Sequence, residues 1–102
     1  MRNIALTRDN FSTVVDSTLV ECMEEMEKAK SENCSRAILD LQLAINALQV
    51  IQKEIKSGIS RPQGKRSAEF TRYVIDEEEG MVMNPELREF IVKIEGFYRR
   101  FF

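Results

Sequence analysis

Residues 35–55 read SRAILDLQLAINALQVIQKEI, and no charged side chain occurs between Asp40 and Lys53. Apolar residues recur here at the three- and four-residue spacing of an α-helix. One broad apolar face consists of Ala37, Ile38, Leu41, Ala44, Ile45, Leu48, Ile51 and Ile55, and a second strip consists of Leu39, Leu43, Ala47 and Val50. A helix that is apolar over most of its circumference is usually covered by neighbours on two sides. The stretch therefore predicts the buried central helix of an all-α protein.

The remaining wedge of this helix consists of three amides, Gln42, Asn46 and Gln49, followed by Lys53. Amides are less costly to desolvate than charged groups, which normally occupy a solvated helix face. Two interpretations stay open. The wedge is either half-covered by the protein itself or contacts another protein chain.

Two further amphipathic stretches flank the central helix. The first should begin near Thr7 or Asp9, and its apolar stripe consists of Phe11, Val15, Thr18, Leu19, Cys22, Met26 and Ala29. A short turn at residues 31–35 predicts that the first two helices form an antiparallel pair. The last helix should begin with Asn84 as its cap and Pro85 in its first turn. Its stripe consists of Leu87, Phe90, Ile91, Ile94, Phe97, Tyr98 and Phe101, with Glu95 on the solvated face.

Residues 67–83 fit either a shorter helix or a hairpin that turns at residues 78–80. We favour the helix, because a lone hairpin of this length is marginally stable. The predicted architecture is a small all-α bundle in one domain, residues 1–102, with three long helices and one shorter helical (or hairpin) element. The uncharged run of the central helix is too short to cross a bilayer, which takes about 20 residues.

The composition excludes several kinds of chemistry. The chain has no histidine, so the commonest general base and metal ligand are absent. Two cysteines cannot form a structural zinc site within one chain, and we interpret Cys22 and Cys34 as reduced thiols of a cytoplasmic protein. We therefore expect no catalytic residue, cofactor or metal ion. Asp40 is either a partly exposed acid paired with Arg36, which we favour, or a buried acid bonded to another partner.

Charge is distributed unevenly along the chain. Residues 53–72 carry a net charge of +4 between two acidic ends, each with a net charge of −3. This segment is the best candidate for nucleic-acid binding, through Lys56, Arg61, Lys65, Arg66 and Arg72. A basic loop on an acidic protein is more often simply solvated, so nucleic acid is the alternative partner here and not the expected one.

The C-terminal residues 97–102 contain four aromatic side chains: Phe97, Tyr98, Phe101 and Phe102. They either close the end of the protein's own core or form an interface in a homodimer or another complex. The leading hypothesis is a non-enzymatic, cytoplasmic protein-binding module that acts through helix faces on another protein or on itself, with no membrane partner. In size and helicity alone, the chain resembles the small helical proteins that microbes use as immunity proteins, secretion chaperones, antitoxins or polymerase-directed regulators, and that resemblance carries over no residue.

Overall fold

All regular structure in the computed structural model, which describes residues 4–58 and 68–102, is helical. The helices are α1 (Phe11–Ser31), α2 (Ser35–Ser57), α3 (Glu69–Glu77) and α4 (Pro85–Phe101), with a 3-10 turn at Glu78–Gly80. The predicted all-α bundle of three long helices and one shorter helix is confirmed. The hairpin alternative for residues 67–83 is wrong. Residues 69–77 are helical, and Met81 and Met83 are buried core residues.

The predicted antiparallel pairing of α1 and α2 is confirmed. Asn33 adopts a left-handed conformation, with φ of 54°, which asparagine tolerates better than most residues and which reverses the chain. At the opposite end of the pair, the Gln52 amide donates a hydrogen bond of 2.5 Å to Asp16. The pair is therefore tied at both ends.

The first helix begins at Phe11 and not at Thr7 or Asp9. The Thr7 backbone N–H donates to Asn10 Oδ1 at 2.9 Å, and the Asn10 N–H donates to Thr7 Oγ1 at 3.1 Å. This reciprocal pair forms a turn before the helix. Thr7 is thus engaged with Asn10, which occupies the cap position.

The core lies where the helical periodicity places it. Every residue of the predicted α1 stripe is buried, and so are Leu41, Ala44, Ile45, Leu48 and Ile51 of α2. The second strip of α2 is only partly covered, because Leu39 is 49% exposed and Val50 is 41% exposed. The contacts of α2 with α3 and α4 include Asp40, which borders this strip, and Glu54, which continues it one turn beyond Val50. Full burial of both strips was therefore a wrong expectation.

Two helix ends follow the predicted capping. Asn84 Oδ1 accepts hydrogen bonds from the backbone N–H groups of Glu86 and Leu87, at 2.8 and 3.2 Å, and Pro85 occupies the first turn. Gly58 ends α2 in the left-handed conformation, with φ of 70°. These caps fix where α2 ends and where α4 begins.

Candidate functional site

The carboxylate of Asp40 is fully buried and connects three parts of the chain. It accepts hydrogen bonds from Arg36 Nε at 3.2 Å, from the Tyr73 hydroxyl at 2.7 Å and from the Val82 backbone N–H at 2.9 Å. The prediction of a partly exposed Asp40 is wrong, although its pairing with Arg36 is correct. Asp40 joins α2 to α3 and to the segment that precedes α4.

The neighbours of Asp40 complete a small polar network. Arg36 also bonds Glu77 at 3.3 Å, and its guanidinium lies 5.9 Å from the centre of the Tyr73 ring. The hydrogen bond to Asp40 raises the pKa of Arg36. Burial, followed by the bond to Asp40, raises the pKa of the Tyr73 hydroxyl. The phenol therefore stays protonated and remains a donor at neutral pH, which fits a structural network.

A second buried carboxylate belongs to Glu95, which was expected on the solvated face of α4. That expectation is wrong, because Glu95 is 1% exposed. Its oxygens accept from the backbone N–H of Phe70 at 3.3 Å, and from the backbone N–H and hydroxyl of Thr71 at 2.7 and 2.6 Å. Burial raises the pKa of Glu95, and the bonds from Thr71 and Phe70 oppose that rise. Glu95 thus caps the N-terminus of α3 from another helix.

The third buried carboxylate is that of Glu54 on α2, which accepts a hydrogen bond of 2.6 Å from the Tyr98 hydroxyl of α4. Each of the three carboxylates therefore accepts at least one hydrogen bond from a helix other than its own. Within residues 4–58 and 68–102, no group of three or more histidine, cysteine or acidic side chains could hold a metal ion. No helix in those ranges is both long and apolar enough to cross a bilayer.

Both cysteines are free thiols. Cys22 lies in the core, whereas Cys34 is half-buried at the cap position of α2. Cys34 also lines a cavity of about 380 Å³ between the α1–α2 turn and the residues that lead into α4. Its described lining residues include no second thiol, and the other titratable side chains among them are Glu25, Lys28 and Glu32.

The candidate surface on α2 carries amides and apolar side chains, and we call it the amide face. It consists of the exposed residues Leu39, Gln42, Asn46, Gln49 and Val50, and the exposed Lys53 lies at its C-terminal end. The Gln42 amide donates a hydrogen bond of 3.0 Å to Asn46 Oδ1. All three predicted amides are thus solvent-exposed and not half-covered, and two apolar side chains border them.

The adjoining part of α1 carries two exposed apolar side chains between Asp16 and Glu27. Val20 is 57% exposed and Met23 is 43% exposed. Asp16, Val20 and Met23 follow the spacing i, i+4, i+7, so they form one row along α1. Asp16 contacts Gln52 of α2, which places this row beside α2. Two exposed apolar side chains of α1 therefore adjoin the amide face.

The four C-terminal aromatics are not equivalent. Tyr98 is buried, and Phe97 and Phe102 pack against the core. The ring centre of Phe11 lies 5.2 Å from that of Phe97 and 4.9 Å from that of Phe102. Phe101 is 51% exposed. Among the predicted partner-binding aromatics, Phe101 therefore offers the largest free surface.

A groove of about 470 Å³ lies between residues 4–6 and this end of α4. Lys93, Gly96, Phe97, Arg100 and Phe101 of α4 contribute to its lining. The described lining residues include two cationic side chains and no acidic one.

Gly96 is unusual within α4, because glycine in the interior of a helix costs about 0.5–1 kcal/mol relative to alanine. A Cβ atom placed on Gly96 would meet no atom within 4 Å. No described part of the chain therefore requires a glycine at this position.

Only part of the basic segment, residues 53–72, lies within the described residues. Arg61, Lys65 and Arg66 lie outside the described residues. Arg72 is exposed on α3, and Lys56 is exposed on α2 with its ammonium 4.0 Å from Asp16. The two described cations occupy different helices.

No family model matches this sequence, and neither the comparison with curated proteins nor that with solved structures gives a significant match. The exposed amide face and the groove beside α4 are therefore the features on which a function can be argued.

Proposed function

We propose that this chain is a non-enzymatic protein-binding module that pairs with a second copy of itself through the amide face. The observation that carries the proposal is the composition of that face. Leu39 and Val50 are 49% and 41% exposed, and no charged residue lies between Asp40 and Lys53. The part of this face from Leu39 to Val50 loses little when it is removed from water, because its exposed side chains carry no charge to desolvate, and Lys53 lies at its edge.

The chemistry of the amides favours a second copy as the occupant. A glutamine or asparagine amide is both a donor and an acceptor, so a row of amides is complementary to itself. A two-fold axis that crosses α2 midway between Leu39 and Val50 would place Leu39 near Val50 of the other copy. This pairing brings no two like charges together. The exposed Val20 and Met23 on α1 would enlarge the apolar part of the same contact.

The polar interior supports a binding role over a catalytic one. The chain lacks histidine. The buried carboxylates of Asp40 and Glu95 accept hydrogen bonds from neighbouring helices, and those bonds stabilise the bundle. The described structure therefore offers its exposed helix faces, and not a pocket of reactive groups, for function.

The test is sedimentation equilibrium of the wild-type chain and of Val50→Lys over a range of concentrations. The wild type should dimerise reversibly, and Val50→Lys should weaken dimerisation by at least about tenfold, which corresponds to about 1.4 kcal/mol. A lysine there would lie against an apolar side chain of the other copy and would lose hydration on association.

Ile75→Lys is the matched control, because Ile75 is a 74% exposed apolar residue on α3, away from the amide face. It should leave dimerisation unchanged. A wild-type chain that stays monomeric at the highest soluble concentration would contradict the proposal. Equal weakening by Val50→Lys and Ile75→Lys would contradict it as well.

A further inference from the structure

The groove between residues 4–6 and α4 lies on a different helix from the amide face and has a different chemistry. Its walls include Ile4 and Phe101, which are 52% and 51% exposed. Two exposed cations, Lys93 and Arg100, border it, and no acidic side chain is among its described lining residues. An occupant should therefore combine apolar side chains with negative charges.

The floor of the groove has a glycine, Gly96, in the interior of α4. No described neighbour would touch a side chain there, so the reason for bare backbone is not found within the described chain. Bare backbone does permit close approach by a ligand or by another backbone. Gly96 lies between Lys93 and Arg100 in the same groove, so the closest approach would fall midway between the two cations.

We propose that this groove binds an acidic amphipathic helix of a partner protein. Lys93 and Arg100 are seven residues apart, which is a span of about 10.5 Å along α4. A partner helix that lies along α4 can place two carboxylates at that same seven-residue spacing. Its apolar residues at the third and fourth positions between them would then enter the groove above Gly96.

The partner motif that follows is an acid, two spacer residues, two apolar residues, two spacer residues and a second acid. Each carboxylate would reach one cation, and the apolar pair would contact Ile4 and Phe101. The charges act at the rim of the groove, where they set the orientation of the partner and make binding sensitive to salt.

The experiment uses the full chain and a fluorescein-labelled helical peptide that carries this motif, with fluorescence anisotropy as the readout. A second peptide has lysine in place of both glutamates. The wild-type chain should bind the acidic peptide and not the basic one. Lys93→Glu should weaken binding of the acidic peptide by at least about tenfold. Arg72→Glu makes the same charge change on an exposed cation of α3 and should leave binding unchanged.

Two further variants identify the groove as the site. Gly96→Leu should abolish binding because its side chain would fill the floor, while circular dichroism should show that α4 is intact, since leucine is a better helix former than glycine. The double variant Lys93→Glu, Arg100→Glu should bind the basic peptide in place of the acidic one.

Retained affinity in Gly96→Leu would overturn the proposal, and so would equal losses in Lys93→Glu and Arg72→Glu. Binding of anionic lipid vesicles by the wild type, without binding of the acidic peptide, would also overturn it. These outcomes do not depend on whether the chain dimerises, because Val50→Lys, which targets the amide face, should bind the acidic peptide as the wild type does.

Discussion

Replacing Asp40 by asparagine tests whether its carboxylate holds α3 and the start of α4 against α2. The side chain keeps almost the same volume, so no cavity is created. The variant loses the negative charge that faces Arg36, the Tyr73 hydroxyl and the Val82 N–H. It also turns one of the two acceptor oxygens into a donor, which cannot pair with the Val82 N–H.

The expected loss follows from the three bonds. A hydrogen bond to a charged group contributes about 1 kcal/mol more than one between neutral groups. Arg36 is partly solvated, with 35% of its side chain exposed, so we count only the bonds from Tyr73 and Val82 in full. Together with the unmatched Val82 N–H, the variant should lose about 2–3 kcal/mol of unfolding free energy.

Urea denaturation followed by circular dichroism measures this loss. In a thermal scan it should appear as a fall in Tm of roughly 10–20 °C, given about 4–8 °C per kcal/mol for a domain of this size. Glu77→Gln is the control, because Glu77 contacts the same Arg36 from an exposed position. It should change stability by no more than about 0.5 kcal/mol.

A double-mutant cycle with Tyr73→Phe should give a coupling free energy of about 1 kcal/mol between Asp40 and Tyr73. A loss below about 1 kcal/mol in Asp40→Asn would refute the reasoning, because that value is the contribution of a single ordinary hydrogen bond. Additive effects in the cycle would refute the direct Tyr73–Asp40 bond.

Three other substitutions test the caps and the Glu95 carboxylate. Asn84→Ala should lower the unfolding free energy by about 1 kcal/mol in urea denaturation, because two N–H groups of α4 lose their acceptor, and Asn84→Ser should recover most of that loss. Gly58→Ala should cost about 1 kcal/mol in the same assay, because its φ of 70° is strained for alanine, whereas an unchanged midpoint would mean that α2 ends differently. Glu95→Gln tests the raised pKa. Between the unfolded pKa of 4.5 and the higher folded value, the native state binds more protons, so the wild type gains stability from this group as pH falls. On acidification from pH 7 towards 4.5, the urea midpoint of the wild type should therefore rise relative to that of Glu95→Gln. A difference between the two midpoints that stays constant with pH would contradict the raised pKa.

Periodicity and capping account for most of what the sequence could predict. The α1 stripe from Phe11 to Ala29 is buried as expected, since its spacing admits one apolar face only. Asn84 and Pro85 begin α4 because both act through local backbone geometry. In each case the information lies within a few residues along the chain.

The buried carboxylates depend on residues far apart in sequence. Glu95 lies beside Ile91, Ile94 and Tyr98 on α4, at the edge of the apolar stripe, where periodicity normally places a solvated charge. Its hydrogen-bond donors are 24 and 25 residues away. The docking of α3 against α4 supplies the hydrogen bonds that offset the desolvation cost of burying this carboxylate.

The residue spacing of α2 alone could not predict which of its apolar side chains are exposed. Leu39 and Val50 belong to an apolar strip that the sequence alone assigns to the interior. Their exposure follows from the positions of α3 and α4: Leu43 and Ala47 of the same strip pack against the core, whereas Leu39 and Val50 lie farther round α2 from Asp40. The exposed fraction of a helix face is a property of its neighbours and not of its own spacing.

The cap that Glu95 provides for α3 has a consequence for the order in which the chain folds. At nine residues, α3 is shorter than the roughly 12–15 residues that an isolated helix needs to be even marginally stable in water. Its first turn is completed by a side chain that follows it in the sequence, so α3 cannot be stable before α4 has formed and docked. We therefore expect the α1–α2 pair and α4 to assemble first and α3 to close last. By the same reasoning, α3 should be the first helix to open in native-state hydrogen exchange.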